Sequence, residues 1–120
     1  MAIPSLISSS LESFLQVTSN REQIIAANMA NVDTPGYRTK DVNFQQALSR
    51  AGQDGSEDQE LHVTPAVSTV HGLLERPDGN NVNLDRESML LAQSQLQYQM
   101  GVQLVKSQFH QLLSAISGGS

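Results

Sequence analysis

Cysteine is absent from this 120-residue chain, which removes disulfide frameworks and thiolate chemistry and leaves the redox compartment open. Tryptophan is absent as well. Two tyrosines and three phenylalanines are the whole aromatic content, too few for a dense globular core. Basic residues are the minority, seven Lys and Arg against twelve Asp and Glu, so a nucleic-acid backbone is not the expected partner. No stretch of 18 apolar residues occurs, and no transmembrane helix is expected. The N-terminus has neither a basic n-region nor an unbroken apolar run, so no Sec signal peptide is expected. Charge is also missing from both ends. Fifteen charged residues fall between Asp33 and Glu87, and only Glu12, Arg21, Glu22 and Lys106 lie outside that stretch.

Apolar residues are present in quantity. Val, Ile, Leu and Phe total 31, above the range of a disordered chain. Their spacing predicts a helix over 5–32, with Leu11, Phe14, Thr18, Arg21, Ile25, Asn28 and Val32 alternating three and four apart as in a coiled-coil seam. Leu15, Ile24 and Met29 widen the stripe, and Ser-rich 1–10 is expected to fray. A longer helix is predicted over 84–117, capped by Asn83 or Asp85 and ended by Gly118-Gly119. Its seam reads Leu91, Gln95, Tyr98, Val102, Val105, Phe109, Leu112 and Ile116. Ser, Thr, Asn and Gln fill the polar sides of both helices where a lone helix in water carries charge. That pattern suits helices with neighbours all round, where amides pair and buried charge is costly. One two-helix seam is also thin against the entropy of ordering the chain, so burial against other subunits is expected to complete it.

The chain is organised around Ala27-Asn28-Met29-Ala30-Asn31-Val32-Asp33-Thr34-Pro35-Gly36-Tyr37. Pro35 cannot continue a helix, and Thr34 before it is pushed towards extended geometry, so the first helix stops near Val32 or Asp33. Pro35-Gly36 suits the centre of a type II turn. Asn28 and Asn31 share one face of the last turn, where their amides can meet orphan carbonyls and the turn. Lining a ligand site is the other use of such a pair; a capping and turn lock is the preferred reading.

This stretch resembles the N-terminal signature of the flagellar rod and hook family of axial proteins. A second match, Arg76-Pro-Asp-Gly-Asn-Asn-Val-Asn-Leu-Asp-Arg-Glu87, resembles the proximal rod members. The likeness covers roughly residues 10–48 and 73–117. It implies a structural subunit that packs with its own copies and other rod proteins into a torque-transmitting shaft through which export passes. It further implies a rod-to-membrane-ring adaptor as neighbour, the flagellar type III apparatus as export route, and a periplasmic rod as location. By the resemblance Asn28, Asn31, Thr34, Pro35, Gly36 and Tyr37 form the structural motif. Leu11, Phe14, Ile25, Val32, Leu91, Tyr98, Val102, Val105, Phe109, Leu112 and Ile116 would pack between subunits.

Between the helices, Val42 and Phe44 alternate with polar neighbours as in a strand, and Gln45–Arg50 suits one or two helical turns. Residues 51–60 read as a flexible acidic loop, and 61–76 as irregular and extended, able to pair with 37–44. Pro77-Asp78-Gly79-Asn80 reads as a second turn. The fold class expected is mainly α: two long helices as a coiled-coil-like antiparallel pair with a loop-rich middle carrying short strands. The units are 1–36, 37–83 and 84–120. No catalytic, cofactor or metal site is expected. His62, His71 and His110 lack paired spacing, the acidic run lacks the spacing of a calcium loop, and no phosphate-binding glycine loop exists. A soluble helical-hairpin adaptor or export chaperone is the alternative, and the charge-poor helix faces argue against it.

Overall fold

The computed structural model describes residues 2–53 and 67–118. Expectations for residues 54–66 and for Gly119 lie outside them, among them His62 and most of the acidic run. The molecule is elongated, 69 Å in its longest dimension. Two helices account for that length: α1 over Ala2–Ala30 and α3 over Leu84–Gly118. Between them come β1 (Lys40–Val42), α2 (Phe44–Gln53) and β2 (Val67–Thr69).

The helices are antiparallel. Asn28 near the end of α1 meets Glu87 at the start of α3, and Phe14 meets Gly101. α1 begins earlier than the sequence predicts, at Ala2, because Pro4 falls in a first turn that needs no N–H from it. It also ends earlier, at Ala30, and tightens into single turns in which Asn31 and Val32 donate to Asn28 and Met29. α3 starts at Leu84 because Asn83 caps it: Asn83 Oδ1 accepts from Arg86 N at 3.1 Å. Asn43 caps α2 in the same manner, accepting from Gln46 N at 3.1 Å. α2 is longer than the one or two turns its sequence suggests. Ala47, Phe44 and Leu48 on one face pack onto Val17, Ile24 and Val42. The Phe14 and Phe44 rings meet edge-to-face, 5.5 Å between centroids.

The strands pair antiparallel, Lys40 opposite Thr69 and Val42 opposite Val67. Arg21 of α1 grips Asp41 of β1 with two hydrogen bonds, 3.1 and 3.3 Å, which fixes the strand pair against the helix.

The α1–α3 seam differs from the reading of periodicity alone. On α1 the expected face is the covered one: Thr18, Ile25 and Asn28 are closed to solvent, and Leu11, Phe14, Arg21 and Val32 are partly covered, while Val17, outside that row, is buried against α2 and β1. On α3 the residues buried against α1 are Glu87, Ser94 and Gly101, a small and polar heptad row. Of the expected seam, only Leu91 and Val102 are partly covered. Gln95, Tyr98, Val105, Phe109, Leu112 and Ile116 are exposed in the chain. The reason is steric. A Cβ at Gly101 would stand 2.8 Å from Leu15 Cδ2 and 3.1 Å from the Phe14 ring, so the glycine is what lets α3 approach α1 this closely at that point. Ser94 Oγ has no hydrogen-bond partner, so what that position supplies is small volume.

Candidate functional site: a clasp between two turns

The two motifs meet at one end of the helical pair and hold each other through buried amides. Asn28 is fully buried and uses its whole hydrogen-bonding capacity. Its Nδ2 donates to Lys40 O at 2.8 Å and to Glu87 Oε2 at 3.1 Å. Its Oδ1 accepts from Tyr37 Oη at 3.0 Å and from Lys40 N at 3.1 Å. One side chain thereby joins the end of α1, the turn after it, the first strand and the first turn of α3.

Glu87 is also fully buried. Its carboxylate takes the Asn28 amide on one oxygen and the Arg86 guanidinium, 2.9 Å away, on the other. Burial, and after it the negative charge of Glu87, push the Tyr37 phenol above its ordinary pKa. Tyr37 therefore stays protonated and keeps donating to Asn28.

The two tight turns lie back to back. In the first, Tyr37 N donates to Thr34 O at 3.2 Å, and Gly36 takes φ 76°, as the third position of a type II turn requires. In the second, Gly79 N donates to Arg76 O and Arg76 N to Asn80 O, both at 2.9 Å. This is a three-residue hairpin whose Gly79 has φ 86°. Gly36 N donates across to Asp78 O at 2.8 Å. A Cβ on Gly79 would lie 3.4 Å from Gly36 Cα, whereas one on Gly36 would meet nothing within 4 Å; what Gly36 supplies is its positive φ.

Asn80 completes the lock. Its buried Nδ2 donates to Asn31 O at 2.9 Å and Thr34 O at 2.8 Å, carbonyls of the turns that follow α1 and that also accept from Thr34 N and Tyr37 N. Its Oδ1 accepts from Val82 N at 2.8 Å. Asn81 Oδ1 accepts from Thr39 N at 2.7 Å, and Arg76 reaches Val32 O. Outside the buried part, Arg38 pairs with Glu75 and donates to Gly79 O.

Of the motif residues expected, Asn31 does close on its own helix end, donating to Ala27 O at 2.7 Å while accepting from Thr34 Oγ1. Asn28 does not cap; it reaches outward to the strand and to α3. Sequence reasoning missed Asn80, Asn81 and the burial of Glu87. Their signal was the second motif itself, whose partner lies more than forty residues away. His71 and His110 are exposed and far apart.

The clasp is built from amides, one carboxylate and one phenol, a set that fixes backbone in place. The described residues contain no group of three His, Asp or Glu able to hold a metal. Comparison with known proteins points the same way as the two motifs. A sequence model of the family described as "Flagella basal body rod protein" matches residues 12–38. The flagellar basal body rod protein FlgB of Salmonella typhimurium is 32% identical, with 88% of this chain and 89% of that protein covered. The FlgB of Bacillus subtilis is 31% identical over 91% of this chain and 92% of its own, and that of Escherichia coli 29% over 88% and 89%. The chain belongs to the FlgB family of flagellar basal body rod proteins. The matched segment 12–38 carries most of the first half of the clasp, from the α1 face that packs on α3 through Asn28 to Tyr37, and stops just short of Thr39 and Lys40.

Proposed function

We propose that this chain is a structural subunit of the flagellar basal body rod, placed in its proximal part, where its helices pack with other rod subunits into a shaft. Torque passes through such a shaft, so the demand on each subunit is stiffness. The observation that carries the reading is the division of labour between clasp and helices in a member of the FlgB family. Buried amides lock the two helices together at one end of the pair, while apolar side chains of α3 stay uncovered for neighbours. At the proximal end the neighbours would be the adaptor that joins rod to membrane ring and the type III export apparatus. The location would be the periplasmic part of the basal body.

The test is complementation of a strain lacking its own FlgB. Expression of this chain is expected to restore swimming and to return rods to isolated basal bodies, with the chain in them. A chain that stays in the soluble fraction as a stably folded monomer and restores no rods would contradict the reading and favour a soluble adaptor.

A further inference from the structure

α3 carries a second stripe, turned away from α1: Met89, Gln93, Leu96, Met100, Gln103 and Ser107, spaced four, three, four, three, four. All six are exposed, and Met89, Leu96 and Met100 each more than half. Leu96, Met100, Gln103 and Ser107 lie together on one open face of α3. α1 carries an outward stripe with the same alternation: Glu12, Gln16, Ser19, Gln23, Ala26 and Ala30. Five of these are exposed and Ser19 is partly so. Neither stripe touches the α1–α3 seam, where Asn28, Glu87, Ser94 and Gly101 are buried.

We propose that the outer stripe of α3 in one copy seats on the outer stripe of α1 in the next copy, antiparallel, with Met100 facing Ser19. The inference rests on the rod reading above and names the surface that reading needs. Three features select a second copy of this chain as occupant. Both stripes keep the 3.5-residue period that lets two helices stay in contact, and both run about 27 Å at 1.5 Å per residue. Their sizes are complementary: antiparallel alignment sets Met89 against Ala30, Met100 against Ser19, and the Gln103 amide against that of Gln16. Charge agrees, since Glu12 ends the α1 stripe beside Ser107, and Lys106 is the one formal charge of α3 beyond Glu87. A lipid surface is a poor match, because no basic residue lies between Ser88 and Val105 and no helix among the described residues is long and apolar enough to cross a membrane. The two faces differ, so the contact is head-to-tail, and such contacts continue from copy to copy, as a shaft needs.

The chain has no cysteine, so introduced thiols report on the contact alone. Ser19→Cys and Met100→Cys are co-expressed as separate chains in a strain lacking FlgB, and basal bodies are isolated and oxidised. A covalent dimer is expected from the mixture and from a second pair, Gln23→Cys with Leu96→Cys, and is expected to be lost when any single variant is expressed alone. Where either Ser19→Cys or Met100→Cys is not incorporated, the Gln23 and Leu96 pair decides. Dimers from Met100→Cys alone in equal yield overturn the proposal, because α3 then faces α3. Incorporation of both partners without any dimer from either pair overturns it too. Absence of the wild-type chain from basal bodies overturns the rod reading as well as this one.

Discussion

The clasped end of the molecule and the free length of α3 solve opposite problems. At the clasp, the most buried groups are polar: Asn28, Asn80, Thr39 and Glu87 are closed to solvent. Along α3 from Tyr98 onwards, large apolar groups stand exposed: Phe109 is 61% exposed and Ile116 70%. A protein that folds to stand alone reverses this arrangement. Here directional hydrogen bonds fix the geometry of each subunit, while non-directional apolar burial is left for assembly. A buried amide contributes little net energy when satisfied but costs much when orphaned, so it specifies one arrangement rather than merely favouring compactness. An exposed Phe or Ile is the converse: it fixes nothing within the chain and gains once a neighbour covers it.

The contrast breaks most severely at Asn28. Asn28→Asp sets a second carboxylate against Glu87 and withdraws the donor that Lys40 O uses. The expected loss is about 3–5 kcal/mol of stability, read by denaturant unfolding, with rods absent from basal bodies. Glu87→Gln in the same chain is expected to restore part of that loss, because its amide can donate to the new carboxylate. Next is the helix contact. Gly101→Leu drives a side chain into Leu15 and Phe14, and about 1–3 kcal/mol is expected from overpacking. Ser94→Ala, which deletes an unpaired hydroxyl one heptad away, is expected to stay within about 0.5 kcal/mol of the parent.

A smaller effect sharpens the polar side of the comparison. The raised pKa of Tyr37 means the folded clasp favours the neutral phenol. Its contribution is whole below the ordinary tyrosine value of about 10 and is lost as pH rises from there through the folded value. Tyr37→Phe is expected to cost about 1 kcal/mol at neutral pH for the missing bond to Asn28, and to remove this residue's share of the alkaline decline. A pH series of thermal melts on both chains checks it.

The two long helices were legible because periodicity over thirty residues is a strong signal, and both turns were legible because Pro-Gly and Pro-Asp-Gly permit few conformations. The packed face of α3 was not. Its apolar residues circle most of the helix, so a 3.5-residue repeat can be drawn through more than one row. Gly101 is what selects the row, and a mid-helix glycine announces a close approach only once the partner is known. Glu87 read as a carboxylate near a helix N-terminus, which it is; its burial depends on Asn28, 59 residues away, and nothing local encodes that. Asn80 stood in the right motif without a role, since the carbonyls it caps belong to the other end of the chain.

Phe109→Asp tests the central claim, that apolar burial belongs to assembly and polar burial to the subunit. The measurement is paired: unfolding of the purified chain by circular dichroism, and recovery of rods with swimming in a strain lacking FlgB. The expected result is a free chain unchanged within about 0.5 kcal/mol, since an exposed position tolerates charge, together with loss of rods. A free chain that unfolds would show that Phe109 packs within the subunit. A variant that builds rods and swims normally would show that this face of α3 meets no neighbour, and either outcome would contradict the account.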